Sequence, residues 1–349
     1  MGKAGLTEAE IRTKHSEEVQ ELRRQLTKQE HVLESYKQSH GGLTVLVAEL
    51  KKAIEIYTPP RVEFRELKNK TTVENPCSAV FQITDVHFGA VQNASEIEGF
   101  GEYSPEICAR RCMQYIDRAI RWVKLHRVNY KIPKAVVLVT GDLISGDIHL
   151  ELMVTNAFPV PMQVVGAAKL LADQISELSK HFEAVEVHFI AEDNHARLTK
   201  KPQAKEAGIN SFNFLVGEFA KQTLSHHKNV KFTVYPQYEK VINVEGRRYL
   251  CAHGHNIQGW MGIPFYGIER KVAREAYKRM NSVDELKFHK FVIGHWHEPF
   301  KGVKVYVGGS VQGTDAYDHK NGRHADPSQS AWLVHPKHGE FDPNEFWLQ

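Results

Sequence analysis

The chain has 349 residues, 42% of them hydrophobic and 25% charged, which fits a globular protein and excludes collagen-like, mucin-like and wholly disordered classes. Forty-five Lys+Arg against 42 Asp+Glu leave a net charge of only +3, so bulk charge does not mark a polyanion binder. Twenty His is the one unusual count, and imidazole is both the commonest metal ligand and the proton carrier near neutral pH.

Residues 1–57 contain no Pro and place Val19, Leu22, Leu26, Leu33, Tyr36, Leu43, Val47, Leu50, Ile54 and Tyr57 in steps of three and four. That spacing predicts helix, with Gly41-Gly42 weakening it. It fits a coiled coil that joins copies into a homo-oligomer, a helical hairpin turning at the glycines, or an amphipathic helix packed on its own chain. Thr58-Pro59-Pro60 ends the helical section, and 58–78 reads as a linker. No 18-residue apolar run predicts a membrane span, and the polar first residues give no secretory signal. Four Cys in so long a chain are expected as reduced thiols in a cytoplasmic protein.

From Ala79 to residue 349 the texture is α/β. Short runs such as AVFQIT, AVVLVT, VEVHFI, RRYLCA, KFVIG, KVYVGG and AWLVH alternate with helical stretches at 105–127 and 158–181. The segment 230–252 holds consecutive strands. Two sheets packed face to face with helices outside are expected. Met153, Met162 and the aromatic residues of 212–219 are expected in the core, as is the Cys251 thiol.

Five strand-like runs end in metal-binding residue types. They lead to Asp85-Val86-His87, Gly141-Asp142, Glu192-Asp193-Asn194-His195, His253-Gly254-His255 and Gly294-His295-Trp296-His297. Strand C-termini in α/β sheets are where ligand groups converge. In an extended segment, residues i and i+2 point the same way, so each D-x-H or H-x-H pair can face one ion. Each piece alone is an ordinary turn or surface pair; five at strand ends in this order form a joint signal.

These residues resemble the calcineurin-like metallophosphoesterase superfamily, whose motifs run D-x-H, G-D, G-N-H-[D/E], H and G-H-x-H. The resemblance spans about 79–312 and implies a four-layered α/β/β/α sandwich with two divalent metal ions, here behind an N-terminal helical extension. It places one ion on Asp85, His87, Asp142 and His297. The other falls to Asp142, Asn194, His253 and His295, with Asp142 bridging and His195 acting on substrate without binding metal. A bridging carboxylate offsets the repulsion of ions about 3.5–4 Å apart, and the ions turn a bridging water into hydroxide near neutral pH. Mixed imidazole and carboxylate donors suit Mn2+ best, with Fe, Zn, Ni or Co as alternatives. His195 would then give the leaving alkoxide its proton.

The third motif departs from the family: Asp193 stands where Gly is usual, and Ala196 where an acid is usual. Asp193, His149 or Glu151 are the expected substitutes for the acid that orients His195. The strings G-D-x-x-S-G-D-I-H and N-H-x-R-x-T-K-K resemble a branch found in tailed phages and prophages, which would place the protein in the host cytoplasm. Gly141 to Asp147 lacks the Arg of protein phosphatases. Residues 196–290 carry 17 Lys+Arg against 8 Asp+Glu, which favours nucleic acid as substrate. Arg197, His255, Arg270 and Arg274 are the candidate substrate contacts, and Trp260, Phe265 and Tyr266 are candidate stacking residues. The expected activity is that of a DNA phosphodiesterase, similar in chemistry to SbcD-type nucleases. The alternatives are a phosphomonoesterase or small-nucleotide phosphodiesterase, and a non-catalytic metal-bound scaffold.

Overall fold

The strand read from Ala79 begins three residues earlier, at Pro76, in a computed structural model that describes Thr27, residues 76–259 and residues 264–349. The helical reading of 1–57 (Thr27 excepted), the linker up to residue 75 and Trp260 lie outside the described residues. Strands β1 (Pro76–Ile83), β2 (Lys131–Val139), β3 (Ala184–Ile190) and β4 (Val230–Tyr235) run parallel in one sheet. Antiparallel β10 (Ser328–His335) and β11 (Gly339–Trp347) extend it, in the order β11-β10-β1-β2-β3-β4. The second sheet holds β5 (Glu239–Val244), β6 (Arg247–Ala252), β7 (Lys290–Ile293), β8 (Phe300–Lys301) and β9 (Val305–Val307), in the order β5-β6-β7-β9-β8.

The continuous apolar runs follow from burial on both faces. On β1, β2 and β10 one alternate set (Ala79, Phe81, Val137, Val139, Leu333) meets the helices. The other set (Val80, Val136, Leu138, Trp332) meets Tyr249, Cys251, Val292 and Tyr306 of the second sheet. Trp332 Nε1 donates to Tyr249 Oη at 3.2 Å across that seam. Helices α1 (Pro105–His126), α3 (Val160–Ser179) and α4 (Phe212–Thr223) cover the first sheet. Helix α5 (Pro264–Lys278) covers the second through Ile268 and Val272. The result is the four-layered α/β/β/α sandwich.

Local signals explain the helices. Ser104 caps α1, accepting from Ile107 N–H at 3.3 Å, and Pro105 opens it. Cys108, Cys112, Tyr115, Ile116, Ala119 and Val123 then form its buried stripe. All four cysteines are free and buried, Cys251 among them. Met153 and Met162, expected in the core, stand 57% and 46% exposed, as does Phe219 at 44%. Met153 sits on α2 (Leu150–Thr155), which buries none of its residues. Helix α4 buries Asn213, Val216, Gly217 and Ala220, and Phe219 falls outside that stripe. Phe212 and Phe214 do pack on the core. Among the described residues no helix is long and apolar enough to cross a membrane.

Candidate metal centre

The C-terminal ends of β1, β2, β3, β6 and β7 meet at one edge of the sandwich. Gln82 Nε2 donates to Ile293 O at 2.8 Å, and His295 N–H reaches Asp85 Oδ2 at 2.9 Å, joining the two sheets there. A Cβ on Gly294 would overlap Thr84 Oγ1 and Asp85 Oδ2, and one on Gly141 (φ +101°) would press on His253 Nδ1 at 2.7 Å. Both glycines therefore mark places where the two halves close on each other.

Four groups of donor atoms result among the described residues, one of them His297 with Asp315 and Asp318. Of the other three, Asp85, His87 and His297 form one, His87, Asp142 and His195 a second, and Asp142, His253 and His295 a third, each with its ligand atoms within 4.8 Å of one another. Asp142 Oδ2 lies 3.0 Å from His253 Nε2 and 3.9 Å from His87 Nε2. Asn194 Oδ1 is 2.9 Å from His253 Nε2. All seven residues read as ligands thus converge, and the second group includes His195, which the family pattern keeps off the metal.

The paired side chains converge by a different route from strand alternation. Asp85, His87, Asp142, His295 and His297 all have left-handed backbone, with φ between 47° and 71°. They make up five of the nine such non-glycine residues among the described ones. They sit just past the strand ends, where the backbone turns, and each such residue costs about 1–3 kcal/mol. Asp85 and His87 fall in one donor group, but His295 and His297, expected to face one ion, fall in two different groups.

The electrostatics test whether a divalent ion fits. Burial holds His87 and His295 well below the ordinary imidazole range, so both are neutral donors. Burial alone would also lower His253, but Asp142 outweighs it and lifts His253 to about 10. Asp318 likewise overrides burial and lifts His297 to about 10. Asp142 stays well below the carboxylate range despite burial, because His253 and His195 face it. His87 Nε2 and His297 Nε2 face each other at 3.2 Å. Two imidazole nitrogens so placed share either one ring's Nε2 hydrogen or a metal ion. The Nδ1 atoms behind them are committed outward: His253 donates to Thr140 O at 2.9 Å, and His297 to Asp318 Oδ2 at 2.8 Å. That arrangement turns each Nε2 toward the centre, as a metal site requires. The donors fit divalent transition metals.

Protons and metal must therefore compete. A divalent ion held by His253 and His297 would displace their Nε2 protons, whose pKa values near 10 exceed the ordinary 6.5. Below about pH 10 every displaced proton makes apparent Mn2+ affinity climb with pH, and above it the dependence levels off. Calorimetry in two buffers of different ionisation enthalpy reads the proton release. An affinity independent of pH between 6 and 9 would contradict it.

Among the described residues no acidic side chain bonds His195 Nδ1. That Nδ1 donates to Ser145 O at 2.6 Å, leaving Nε2 4.0 Å from Asp142 Oδ2 and the side chain 22% exposed. Asp193 is occupied elsewhere: Oδ1 accepts from Ala196 N–H and Oδ2 from Asp142 N–H, both at 2.8 Å, and from Asn213 Nδ2. Burial raises Asp193 to about 7. Ala196 lies in the apolar core, and His149 and Glu151 are exposed. A backbone carbonyl carries no side-chain signature, so no sequence motif could have named Ser145.

The candidate substrate contacts divide: His255 lies beside His253 and His295, ring centroids 5.7 and 6.3 Å away, while Arg270 and Arg274 do not join them. Arg197 gives Nε to Thr199 O, Nη1 to Asn194 O and Nη2 to Lys200 O, all within 3.1 Å, and so staples the loop after His195. His255 Nε2 meets Glu192 Oε1 at 3.3 Å, and burial pushes the ring to about 4. Arg270 lies over the Tyr266 ring and Arg274 is exposed, both on the outer helix α5. Around them Lys271, Lys278 and Arg279 pair with Glu275, and Glu239 also meets the last two. Phe265 packs on Phe300, their ring centroids 5.0 Å apart.

The sequence matches the Metallophos family, described as calcineurin-like phosphoesterase, over residues 79–326. No curated protein matches it. Among solved structures it is similar to a conserved uncharacterized protein, described as a predicted phosphoesterase, from Streptococcus pneumoniae TIGR4. Identity there is 10%, over 78% of this chain and 98% of the other, with a TM-score of 0.28. It is also similar to wild-type Vps29 complexed with Zn2+ from Entamoeba histolytica, at 13% identity over 78% of this chain and 99% of that one, with a TM-score of 0.29.

Proposed function

The chain belongs to the calcineurin-like phosphoesterase family of metal-dependent phosphoester hydrolases, and from that premise we propose that it is a two-metal phosphodiesterase acting on DNA. Asp85, His87, Asp142 and His297 would hold one ion, and Asp142, Asn194, His253 and His295 the other. Mn2+ is the ion we favour for this donor set. When bound, the ions would supply positive charge to the phosphoryl oxygens and acidify a water.

The protein's own groups do the rest. Asp142 keeps its carboxylate ionised and links the two donor sets. His195, oriented by Ser145 O, turns Nε2 toward the same centre with enough exposure to reach a leaving oxygen. Proton delivery to that oxygen is the role we give it.

One observation carries the choice of a polyanionic diester. Lys200, Lys201 and Lys205 are all exposed on the loop that leaves His195, and Arg197 ties the start of that loop to Asn194 O. Three cations within ten residues of the proton donor would meet the phosphates flanking a scissile bond. On α5, by contrast, neighbouring carboxylates offset much of the positive charge.

Linear single- and double-stranded DNA, end-labelled and incubated with Mn2+ or with EDTA, tests the reading. Metal-dependent fragment release, lost in His195→Ala, is expected. Hydrolysis confined to small nucleotides or monoesters would move the substrate to those, and bound metal without turnover of any ester would leave a scaffold.

A further inference from the structure

His297 is backed differently from the other histidines of the centre. Where His253 and His195 donate Nδ1–H to neutral backbone carbonyls, His297 donates to a carboxylate, Asp318 Oδ2, at 2.8 Å. Asp318 is only 4% exposed, and its other oxygen, Oδ1, meets Arg323 Nη2 at 2.8 Å. The short helix α6 (Ala316–Lys320) fixes it in place: Asp318 N–H donates to Asp315 Oδ1 at 2.7 Å, and Arg323 N–H donates to Asp318 O at 2.9 Å. The turn is tied to the rest of the fold by Ala316 N–H, which donates to Gln92 Oε1 at 2.9 Å.

We infer that Asp318 is a positioning residue that fixes the ring and tautomer of His297, with Arg323 holding the carboxylate in place. A carboxylate behind a ligating imidazole locks Nδ1–H outward and makes Nε2 a stronger donor than a carbonyl would. The two ion sites are then unequal. The site of Asp85, His87 and His297 depends on a charged partner 21 residues along the chain, whereas in the other site His253 leans on a carbonyl. Arg323 offsets the buried negative charge of Asp318 from its other side.

This rests on the assignment of His297 as a ligand, and the test separates the two claims. Mn2+ titrations followed by electron paramagnetic resonance are run on the full chain, on Asp318→Ala and on Asp318→Asn. Two ions per wild-type chain are expected. In Asp318→Ala one site weakens by about 10–100-fold and the other is unchanged. Asparagine keeps an acceptor for Nδ1–H, so Asp318→Asn should lose less. In the Zn2+-loaded protein the His297 Nδ1 proton should give a downfield, slowly exchanging resonance, retained in Asp318→Asn and lost in Asp318→Ala. A wild-type chain that binds no Mn2+ would remove the ligand assignment itself. Two ions in the wild type and unchanged affinities in Asp318→Ala would overturn the positioning role alone. So would equal weakening of both sites with a lowered melting temperature, the signature of a purely structural residue.

Discussion

Asp142→Ala is expected to bind fewer than two Mn2+ per chain and to hydrolyse phosphodiesters at least about 1,000-fold more slowly, since the charge lost is worth several kcal/mol at the transition state. Asp142 is 1% exposed and serves two donor groups at once. Its Oδ2 is 3.0 Å from His253 Nε2, and its Oδ1 accepts from His195 N–H at 3.2 Å. Removing it takes away the carboxylate that would offset the mutual repulsion of the two ions. Elemental analysis of the dialysed protein gives the metal count. Two ions retained per chain would remove Asp142 from the bridging position.

His195→Ala should behave in the opposite way on metal and in a graded way on rate. Both ions stay, while cleavage of DNA falls by about 100- to 10,000-fold, the usual contribution of a placed acid. The loss should shrink sharply with bis-p-nitrophenyl phosphate, whose leaving group departs without a proton. An equal loss on both substrates would argue against proton delivery. A lost ion would instead make His195 a ligand, a reading the group of His87, Asp142 and His195 keeps open.

The site was legible where chemistry forces rare side chains onto strand ends. Asp85, His87, Asp142, Asn194, His253, His295 and His297 lie in segments that end strand-like runs, where parallel strands deliver their C-termini to one edge, and the family resemblance picked them out from their neighbours. The reason they face inward was not legible. Alternation presumes extended backbone, and the protein uses left-handed turns at five of them. Ser145 escaped because it acts through its carbonyl, and Asp318 because it reaches His297 from a helix with no motif around it. On α5 the pairing of Lys278 and Arg279 with Glu239 was not legible, because Glu239 comes from a strand far back in the chain. In the fold, the paired layers followed from the apolar runs. The closing strand β11, GEFDPNEFW, did not, being mostly polar and carrying a Pro that belongs on a sheet edge.

The left-handed residues also set longevity against purpose. Glycine adopts that backbone without penalty, so replacing His87 or His295 with it would relieve strain while deleting a donor. Selection for heat tolerance alone therefore points first at the positions hydrolysis can least spare. A lineage released from the need to cut phosphoesters would be expected to drift to glycine there early, and so grow sturdier as it fell silent.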